Sequence, residues 1–317
     1  MTLHFTRRAA LGSLAAAAAT PVLAKAPMLG PLRPMVNRVK LGAFEVTTIL
    51  DGTWAREGLH PLFGANATAD EVAALAAANG LPTAEAEFTF VPIVVNTGSE
   101  LVLFDTGNGE ARRPGRGQLR DQLGAAGYAP EDIDIVVITH NHPDHIGGMM
   151  ENGTPAFPNA RYVTAQQEYD FWASEDRVGT PAEGLHKLTK SNVTPVADKM
   201  SFIKDGDAVA SGIEAVSAFG HTPGMMAYHI ESEGKRLMLI ADAANHYVLS
   251  MQRPDWHFGF DADKDGAVAS RKKLMGMIAA DKIPFTGYHL PFPALGYLEA
   301  KGDGFDYTPA SYQLNLG

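Results

Sequence analysis

Three histidines and one aspartate fall within six consecutive positions, in the segment His140-Asn141-His142-Pro143-Asp144-His145. The segment follows residues 133–139, an apolar run that predicts a buried strand, and it precedes two glycines at 147–148. Neutral imidazole and carboxylate groups bind zinc and other borderline divalent ions. We therefore predict a metal-binding loop, and the alternative is a polar surface loop that happens to be rich in histidine.

Other residues that could bind a metal also follow predicted strands. Residues at the ends of strands can meet at one rim of a sheet, so we expect these side chains to join the histidine-rich segment. The chain has no cysteine, which excludes disulfides and thiolate ligands. The further candidates are His221 after residues 213–219, Asp242 after 236–240 and His289 after 283–288.

The chain is acidic and otherwise of ordinary globular composition, with 317 residues, 45% hydrophobic residues and a net charge of −10. Beyond residue 26 it has 23 basic and 36 acidic residues, a net charge of −13. This balance argues against a nucleic-acid partner, which would need a basic face. No apolar stretch beyond residue 26 reaches the roughly 18 residues of a membrane span. We expect a small neutral substrate as the partner, and a homodimer is left open.

The first 26 residues predict an export signal. Arg7 and Arg8 form a twin-arginine pair before an alanine-rich apolar stretch, and Ala24-Lys25-Ala26 fits a small-x-small cleavage site. We therefore predict a twin-arginine signal peptide over residues 1–26, a mature domain over 27–317, and a periplasmic or secreted protein. The alternative is a poorly ordered amphipathic N-terminus.

The pattern of predicted elements indicates one α/β domain with helices outside two sheets. A capping box at Thr68 and Glu71 predicts a helix that ends at Asn79. Residues 174–198 look irregular and predict a loop. Further predicted strands are 44–50, 91–96, 100–104, 160–163 and 225–230, and further predicted helices are 118–126, one that includes Glu168 and Trp172, and 267–280.

The order and spacing of these residues, from Asp105 to His289, resemble those of the metallo-β-lactamase superfamily. The resemblance implies a four-layer αβ/βα sandwich of two mixed sheets with outer helices. It also implies two divalent metal ions, for which zinc is the first choice and manganese, cobalt and iron are alternatives. In such a site the first metal would be bound by His140, His142 and His221, the second by Asp144, His145 and His289, and Asp242 would bridge both.

Further residues extend the resemblance. Asp105 resembles the family aspartate that orients the ligand loop, and the alternative is a simple turn cap. The stretch from His289 to Gly296 resembles the secreted methyl parathion hydrolase group, which is allied to the quorum-quenching lactonases. One departure concerns Asn245, because homoserine-lactone lactonases carry a lactone-contacting tyrosine at that position. Tyr247 is near in sequence but displaced.

Aromatic residues close to the ligand residues are candidates for an apolar substrate pocket. The place of Trp172 resembles that of a pocket tryptophan in the parathion hydrolase group. Tyr247, Phe292 and the stretch 256–258 are further candidates. For each aromatic residue, ordinary core packing is the alternative.

The residues and the resemblance together predict a hydrolase of neutral lactones, aryl esters or phosphotriesters. Two metals about 3.5–4 Å apart can share one water and lower its pKa towards ~7, so that a bridging hydroxide can attack. Asp242 would fix the metal spacing, and Asp144 would carry a proton to the leaving group. The alternatives are a thioester hydrolase of the glyoxalase II type, which the acidic tail 294–317 disfavours, and a metal-binding protein without turnover.

Asp261, Asp263 and Asp265 have the spacing of the first part of a calcium loop. The twelfth position of such a loop should be glutamate, and in this chain it is Lys272. We therefore expect these aspartates to precede a helix, where negative charge is favourable.

Overall fold

Two mixed sheets of seven strands each form the frame of the protein in the computed structural model, which describes residues 32–311. The predicted signal peptide at residues 1–26 lies outside the described residues and stays a prediction. The first sheet contains, in spatial order, β1 (Val36–Leu41), β2 (Phe44–Ile49), β5 (Ile93–Asn96), β6 (Leu101–Phe104), β7 (Ile135–Val137), β10 (Arg161–Ala165) and β11 (Met200–Ile203).

The second sheet is formed by the C-terminal half of the chain. Its strands are, in spatial order, β12 (Ala208–Ala210), β13 (Ile213–Ser217), β14 (Met226–Ser232), β15 (Lys235–Leu239), β16 (Phe285–Thr286), β17 (Leu295–Lys301) and β18 (Gly304–Pro309). Two separate pairs are β3 (Gly52–Glu57) with β4 (Glu85–Phe90) and β8 (Met150–Glu151) with β9 (Thr154–Pro155). Each seven-stranded sheet contains both parallel and antiparallel pairs.

The helices lie between the strands in sequence. They are α1 (Ala69–Ala78), α2 (Leu119–Ala126), α3 (Pro143–Ile146), α4 (Gln166–Ala173), α5 (Glu183–Asn192), α6 (Leu249–Gln252) and α7 (Lys264–Asp281). Within residues 32–311, none of them has the length and apolarity needed to cross a lipid bilayer.

The central strands β5, β6 and β7 of the first sheet are buried on both faces, which explains their continuous apolar sequences. In β6, Val102 and Phe104 point into the core shared with the second sheet, where the Phe104 ring lies 5.0 Å from that of Tyr228 on β14. The intervening Leu103 points to the opposite face and packs in a second core with Leu123 of α2. The alternation of side chains along a strand therefore places one core between the sheets and another beneath the outer helices.

The main predictions of secondary structure are confirmed. The protein has two mixed sheets with helices, and the strands predicted at residues 91–96 and 100–104 are present as β5 and β6, which pair antiparallel as a hairpin. The capping box is present, because Thr68 and Glu71 exchange side-chain and backbone hydrogen bonds at the start of α1. The first turn of α7 begins at Lys264 and is capped by Asp263, three residues before the predicted start at residue 267.

The prediction of a loop over residues 174–198 is wrong. The segment contains α5 and two 3-10 turns, Glu175–Arg177 and Thr194–Lys199. The side chains that α5 buries fully are those of His186 and Thr189, which are polar, and its only leucines, Leu185 and Leu188, are half-buried, so the apolar pattern of the helix is short. The hairpin of β17 and β18 was also not predicted, because the end of β17 is exposed and charged.

The loop after β6 lies directly against the loop that contains the histidine-rich segment. A Cβ added to Gly109 would lie 2.1 Å from the Gly147 carbonyl oxygen, and one added to Gly148 would lie 2.0 Å from the Thr106 carbonyl oxygen. Only glycine permits such a close approach of two backbones. The two loops are therefore held in one fixed relation to each other.

We expect Gly109→Ala to lower the free energy of unfolding far more than Gly98→Ala. Both positions have a positive φ, 70° and 84°, so both variants carry the left-handed strain of about 1–2 kcal/mol. Only the Gly109 variant adds the clash with Gly147, because nothing lies within 4 Å of a Cβ at Gly98. Urea unfolding of both variants measures the difference, which we expect to exceed ~2 kcal/mol. Equal losses would contradict the tight contact.

Candidate metal centre

The predicted ligand residues come together in the structure. Their ligand atoms form two clusters, and within each cluster these atoms lie within 4.8 Å of one another. The clusters consist of His140, His142, His221 and Asp242, and of Asp144, His145 and His289. Their assignment as ligands stays a prediction, but their placement is the one that the sequence led us to expect.

Asp242 lies between the clusters. Its Oδ2 atom is 3.3 Å from Nε2 of His221 and 3.0 Å from Nε2 of His289, and its Oδ1 atom is 3.3 Å from Nε2 of His145. Nε2 of His140 lies 3.9 Å from Oδ2, so the carboxylate faces two histidines of each cluster. This is the position that a bridging ligand must have.

Among the predicted ligands, two polar atoms are buried without a hydrogen-bond partner in the described part of the chain. They are Nε2 of His145 and Oδ1 of Asp242. A buried polar atom left in this state costs about 1–3 kcal/mol, and a cation coordinated by both atoms would remove that cost. The donor set is nitrogen and carboxylate oxygen, as borderline divalent ions require. The residues present thus fit two divalent metal ions.

Four imidazoles present Nε2 to the centre, and their Nδ1 atoms are held by oxygen atoms behind them. A proton held on Nδ1 leaves the Nε2 lone pair free for a metal. The Nδ1 contacts are His140 with Thr139 Oγ1 at 3.0 Å, His145 with Asp105 Oδ2 at 2.8 Å, His221 with Asp261 Oδ1 at 2.8 Å and His289 with the Thr89 carbonyl at 2.8 Å.

His142 presents its other ring nitrogen. Nδ1 of His142 lies 3.1 Å from Nε2 of His140 and 2.9 Å from Nε2 of His221. The ring of Trp172 lies 6.4 Å from the His142 ring.

Asp105 has the geometry of an orienting residue. It accepts hydrogen bonds from the backbone N–H and the hydroxyl of Thr139, at 2.8 and 2.9 Å, and it contacts His145. Its φ of 62° lies in the left-handed region, which a non-glycine residue adopts only when its surroundings hold it there. Asp105 therefore connects the end of β6 to both ends of the histidine-rich segment.

Asp261 and Arg271 were missed as functional residues. The sequence led us to place Asp261 before a helix in a purely electrostatic role, but its side chain is fully buried against Nδ1 of His221. Its second oxygen accepts from Nη2 of Arg271 at 3.2 Å. Arg271 is also buried and donates to the carbonyls of Ala243 and Trp256. The only signal in the sequence was the presence of two opposite charges ten residues apart, on Asp261 and on Arg271 of α7.

Glu168 was also missed, although its helix was predicted. Its carboxylate is buried and accepts four hydrogen bonds, from the N–H groups of Asn141 and Gly224, the hydroxyl of Thr222 and the indole of Trp172, at 2.7–2.8 Å. Burial raises the pKa of Glu168, and the donated bonds oppose this. Glu168 joins the segment around His140 to the loop after His221.

Several ligand residues have pKa values suited to metal binding. Burial, with a contribution from His221, lowers the pKa of His142 to about 3, and burial lowers that of His140 well below its ordinary value. Burial opposes the charge of Asp144, but His145 and His289 outweigh it and lower its pKa to about 2. These three residues therefore offer neutral imidazole and carboxylate, which are the metal-binding forms. In His145, His221 and His289 burial opposes the positive charge, but the neighbouring carboxylates outweigh it and raise the pKa, in His221 to about 9.

A cavity of about 530 Å³ opens onto both clusters. Asp144, His142 and Asp242 line it together with Asn245, whose amide donates to Oδ2 of Asp242 at 3.0 Å. Its apolar wall consists of Trp54, Phe88, Phe90, Leu185, Phe258 and Phe260. Most of the aromatic wall thus comes from the β3–β4 pair, which the sequence did not lead us to predict.

The predicted pocket residues Trp172, Tyr247 and Phe292 do not line this cavity. Trp172 is buried and its indole donates to Glu168, and Tyr247 stacks on His246 with ring centroids 5.0 Å apart. Phe292 packs against the core between the sheets. Tyr247 and Phe292 are half-buried against the core, and of the aromatic candidates only Phe258 lies in the wall.

We expect Asp261→Asn to weaken metal binding at the first cluster by roughly 10- to 100-fold, because an amide opposite His221 and Arg271 cannot satisfy both donors. Competition with a chelator measures the affinity of each metal equivalent. Asp263→Asn is the matched control, since Asp263 caps α7 and asparagine caps equally well. Unchanged affinity in the Asp261 variant would contradict this role.

We expect Glu168→Gln to lower the free energy of unfolding by about 2–4 kcal/mol. The amide nitrogen of the glutamine would have to face one of the four groups that donate a hydrogen bond to Glu168, and that bond would be lost. Urea unfolding of metal-depleted protein separates this effect from metal binding. Glu214→Gln on β13 is the control, since Glu214 is exposed and its variant should differ by no more than ~0.5 kcal/mol. A loss no larger than that of the control would be the contrary result.

Named relatives of this chain are hydrolases. An N-acyl homoserine lactonase of Bacillus cereus is 28% identical over 170 residues, which span 53% of this chain and 60% of the relative. One of Agrobacterium fabrum is 27% identical over 161 residues, spanning 49% of this chain and 57% of the relative. The chain therefore matches somewhat more than half the length of these lactonases.

Solved structures are similar over nearly their full length. AidC, described as a dizinc quorum-quenching lactonase in complex with a product, has a TM-score of 0.80 and 30% identity, covering 88% of this chain and 98% of its own. AbOPH, described as a hydrolase in the beta lactamase superfamily, has a TM-score of 0.82 and 25% identity, covering 89% and 99%. The family model described as the metallo-beta-lactamase superfamily matches residues 91–281. The chain belongs to the metallo-β-lactamase superfamily.

Proposed function

We propose that this protein is a dinuclear, metal-dependent hydrolase that opens lactone rings. One observation carries the proposal: two adjacent clusters of nitrogen and oxygen ligands, with Asp242 between them, line one cavity whose wall is apolar. The named lactonases among the relatives support lactones as the substrates, and the dizinc structure of AidC supports zinc as the metal. Aryl esters and phosphotriesters are further substrates within the proposal.

The chain's own residues would bind and orient the substrate. The aromatic wall would take the apolar part of the substrate and exclude water from the reacting bond. Two divalent ions bound at the clusters would polarise the scissile carbonyl and lower the pKa of an attacking water. Asp242 would hold the spacing of the site through contacts with both clusters.

Asp144 would move the proton. Its side chain is 19% exposed and lines the cavity, whereas that of Asp242 is 3% exposed. An oxygen of Asp144 can therefore take a proton from the water side and return it to the leaving alkoxide. Asn245 would take no part in this transfer, because its amide is held by Asp242.

We expect purified protein to bind about two zinc ions per chain and to hydrolyse N-hexanoyl homoserine lactone and dihydrocoumarin, with p-nitrophenyl butyrate and methyl parathion assayed beside them. His142→Ala should lose metal and at least ~100-fold in kcat/KM, because it removes a ligand of the first cluster. His229→Ala is the control, since His229 lies on β14 outside both clusters.

The contrary outcomes separate the alternatives. Fewer than one metal per chain contradicts the dinuclear site. Two metals without turnover of any substrate would favour a metal-binding protein that is not an enzyme. Turnover of S-lactoylglutathione with no turnover of lactones would favour the thioester hydrolase.

A further inference from the structure

Two arginines line the cavity without a paired acid. Arg112 and Arg116 lie on the loop between β6 and α2, and both contribute to the cavity lining. In the described part of the chain, neither guanidinium group takes part in a hydrogen bond or an ion pair. Arg113 differs from them, because its Nη1 and Nη2 atoms bind the Glu151 carboxylate at 2.6 and 3.0 Å. A ligand that enters the cavity therefore meets two cations that are still available.

The loop that carries these arginines is held firmly at both ends. The buried Asp51 carboxylate accepts hydrogen bonds from the backbone N–H groups of Asn108, Gly117 and Leu119, at 2.8–3.0 Å. A Cβ on Gly117 would lie 2.0 Å from the Gly109 carbonyl oxygen, so the two ends of the loop touch. The loop backbone is therefore fixed relative to the cavity.

Arg116 is packed into the aromatic wall. Its backbone pairs with Gly52 in an antiparallel bridge, where a Cβ on Gly52 would lie 2.5 Å from the Cα atom of Arg116. The central carbon of its guanidinium group is 5.2 Å from the ring centroid of Trp54 and 5.6 Å from that of Phe90. Aromatic rings that contact a guanidinium through its faces leave the N–H groups at its edge free to donate. The group is preorganised, so little freedom is lost when a ligand binds it.

The two guanidinium groups repel each other. Burial, together with the charge of Arg112, lowers the pKa of Arg116, while the more distant charges of Asp144 and Asp51 raise it. Asp144 faces the imidazoles of the second cluster, and Asp51 accepts from the backbone of the loop, so each carboxylate is engaged elsewhere. Two positive charges thus share one side of the cavity, and within residues 32–311 no acid forms an ion pair with either.

This second charge distinguishes an anionic ligand from a neutral acceptor. A carbonyl oxygen could accept a hydrogen bond from Arg116, but it would leave the repulsion by Arg112 unchanged. A carboxylate can bind a guanidinium group through two parallel hydrogen bonds, each about twice as strong as a bond between neutral groups, and its charge offsets the repulsion. Between aromatic side chains this attraction is screened less than in water. The pair of arginines therefore favours an anionic group.

We propose that Arg116 and Arg112 form a carboxylate subsite, and that the preferred substrates are lactones with a free carboxylate on a substituent of the ring. This inference rests on the proposed lactone hydrolysis and narrows its substrate class. It differs from the neutral substrate that the acidic composition led us to expect, because net charge describes the whole surface and not this cavity. Arg116 determines specificity and takes no part in the bond-breaking step.

The test compares lactones that differ only in charge. The probes are γ-butyrolactones whose α-carbon carries a chain of two to five methylene groups, ending in a carboxylate or in the nearly isosteric carboxamide. At the best chain length we expect wild-type kcat/KM to favour the carboxylate at least ~10-fold, mainly through KM. Arg116→Met should remove this preference, and added salt should weaken it by screening the charges. A subsite for a neutral carbonyl would treat both probes alike.

Matched variants separate the subsite from general effects of charge. Arg120→Met removes one positive charge from α2, outside the cavity lining, and should leave the preference unchanged. Arg112→Met should reduce the preference by roughly 2- to 5-fold, because Arg112 is exposed and its attraction is partly screened. Methionine keeps much of the apolar stem of arginine but has no donor. Metal content and thermal melting of each variant establish that it is folded.

A second measurement does not depend on turnover. In the cyclopentanone analogues of these probes a methylene group replaces the ring oxygen, so they contain no ring ester to hydrolyse. Calorimetry with the zinc-loaded protein should show the carboxylate analogue binding at least ~10-fold more tightly than the carboxamide, and Arg116→Met should abolish the difference. If the variant keeps the difference, the carboxylate binds elsewhere and the subsite is overturned.

The outcomes distinguish the two proposals. If the wild-type protein opens none of the lactones, the proposed function fails, and the calorimetric comparison still decides whether the subsite exists. If the lactones are opened but the carboxylate and carboxamide probes are treated alike, the subsite is overturned while lactone hydrolysis stands.

Discussion

The carboxylate of Glu168 forms hydrogen bonds with both loops that carry the candidate metal centre. Its two oxygens accept from Asn141, within the histidine-rich segment, and from Thr222 and Gly224, directly after His221. The first segment follows a strand of the first sheet and the second follows a strand of the second sheet. A buried charge is stable only where donors surround it, so this group fixes the distance between the loops whether or not a metal is present.

Other buried carboxylates repeat this arrangement around the site. Asp51 fixes the loop between β6 and α2, Asp105 fixes Thr139 and His145, and Asp261 fixes His221. Each accepts from backbone amides or imidazoles and leaves the metal-facing atoms free. The geometry of the predicted ligands is therefore set by hydrogen bonds behind them, while the apolar cores of the two sheets hold the loops from which they extend.

The sequence predicted those features of the site that depend on residues close together along the chain. The histidine-rich segment, the strands before His221 and Asp242, and the family followed from local patterns, and the family and fold class are confirmed. Glu168 and Asp261 could not be recognised, because a carboxylate gains its role from partners 27 to 56 residues away. Trp172 lies outside the cavity lining, and the sequence could not show this because a buried tryptophan and a pocket tryptophan have the same local sequence pattern.

The contact between Gly109 and Gly117 restricts how the loop between β6 and α2 can change during evolution. With both ends of the loop pinned by Asp51 and packed backbone to backbone, an inserted or deleted residue would disturb the metal centre itself. Substrate range can then change through side-chain replacement at positions 112 and 116, without a change in loop length. Related enzymes that share this scaffold would be expected to vary in chemistry at those two positions while keeping the spacing between the glycines.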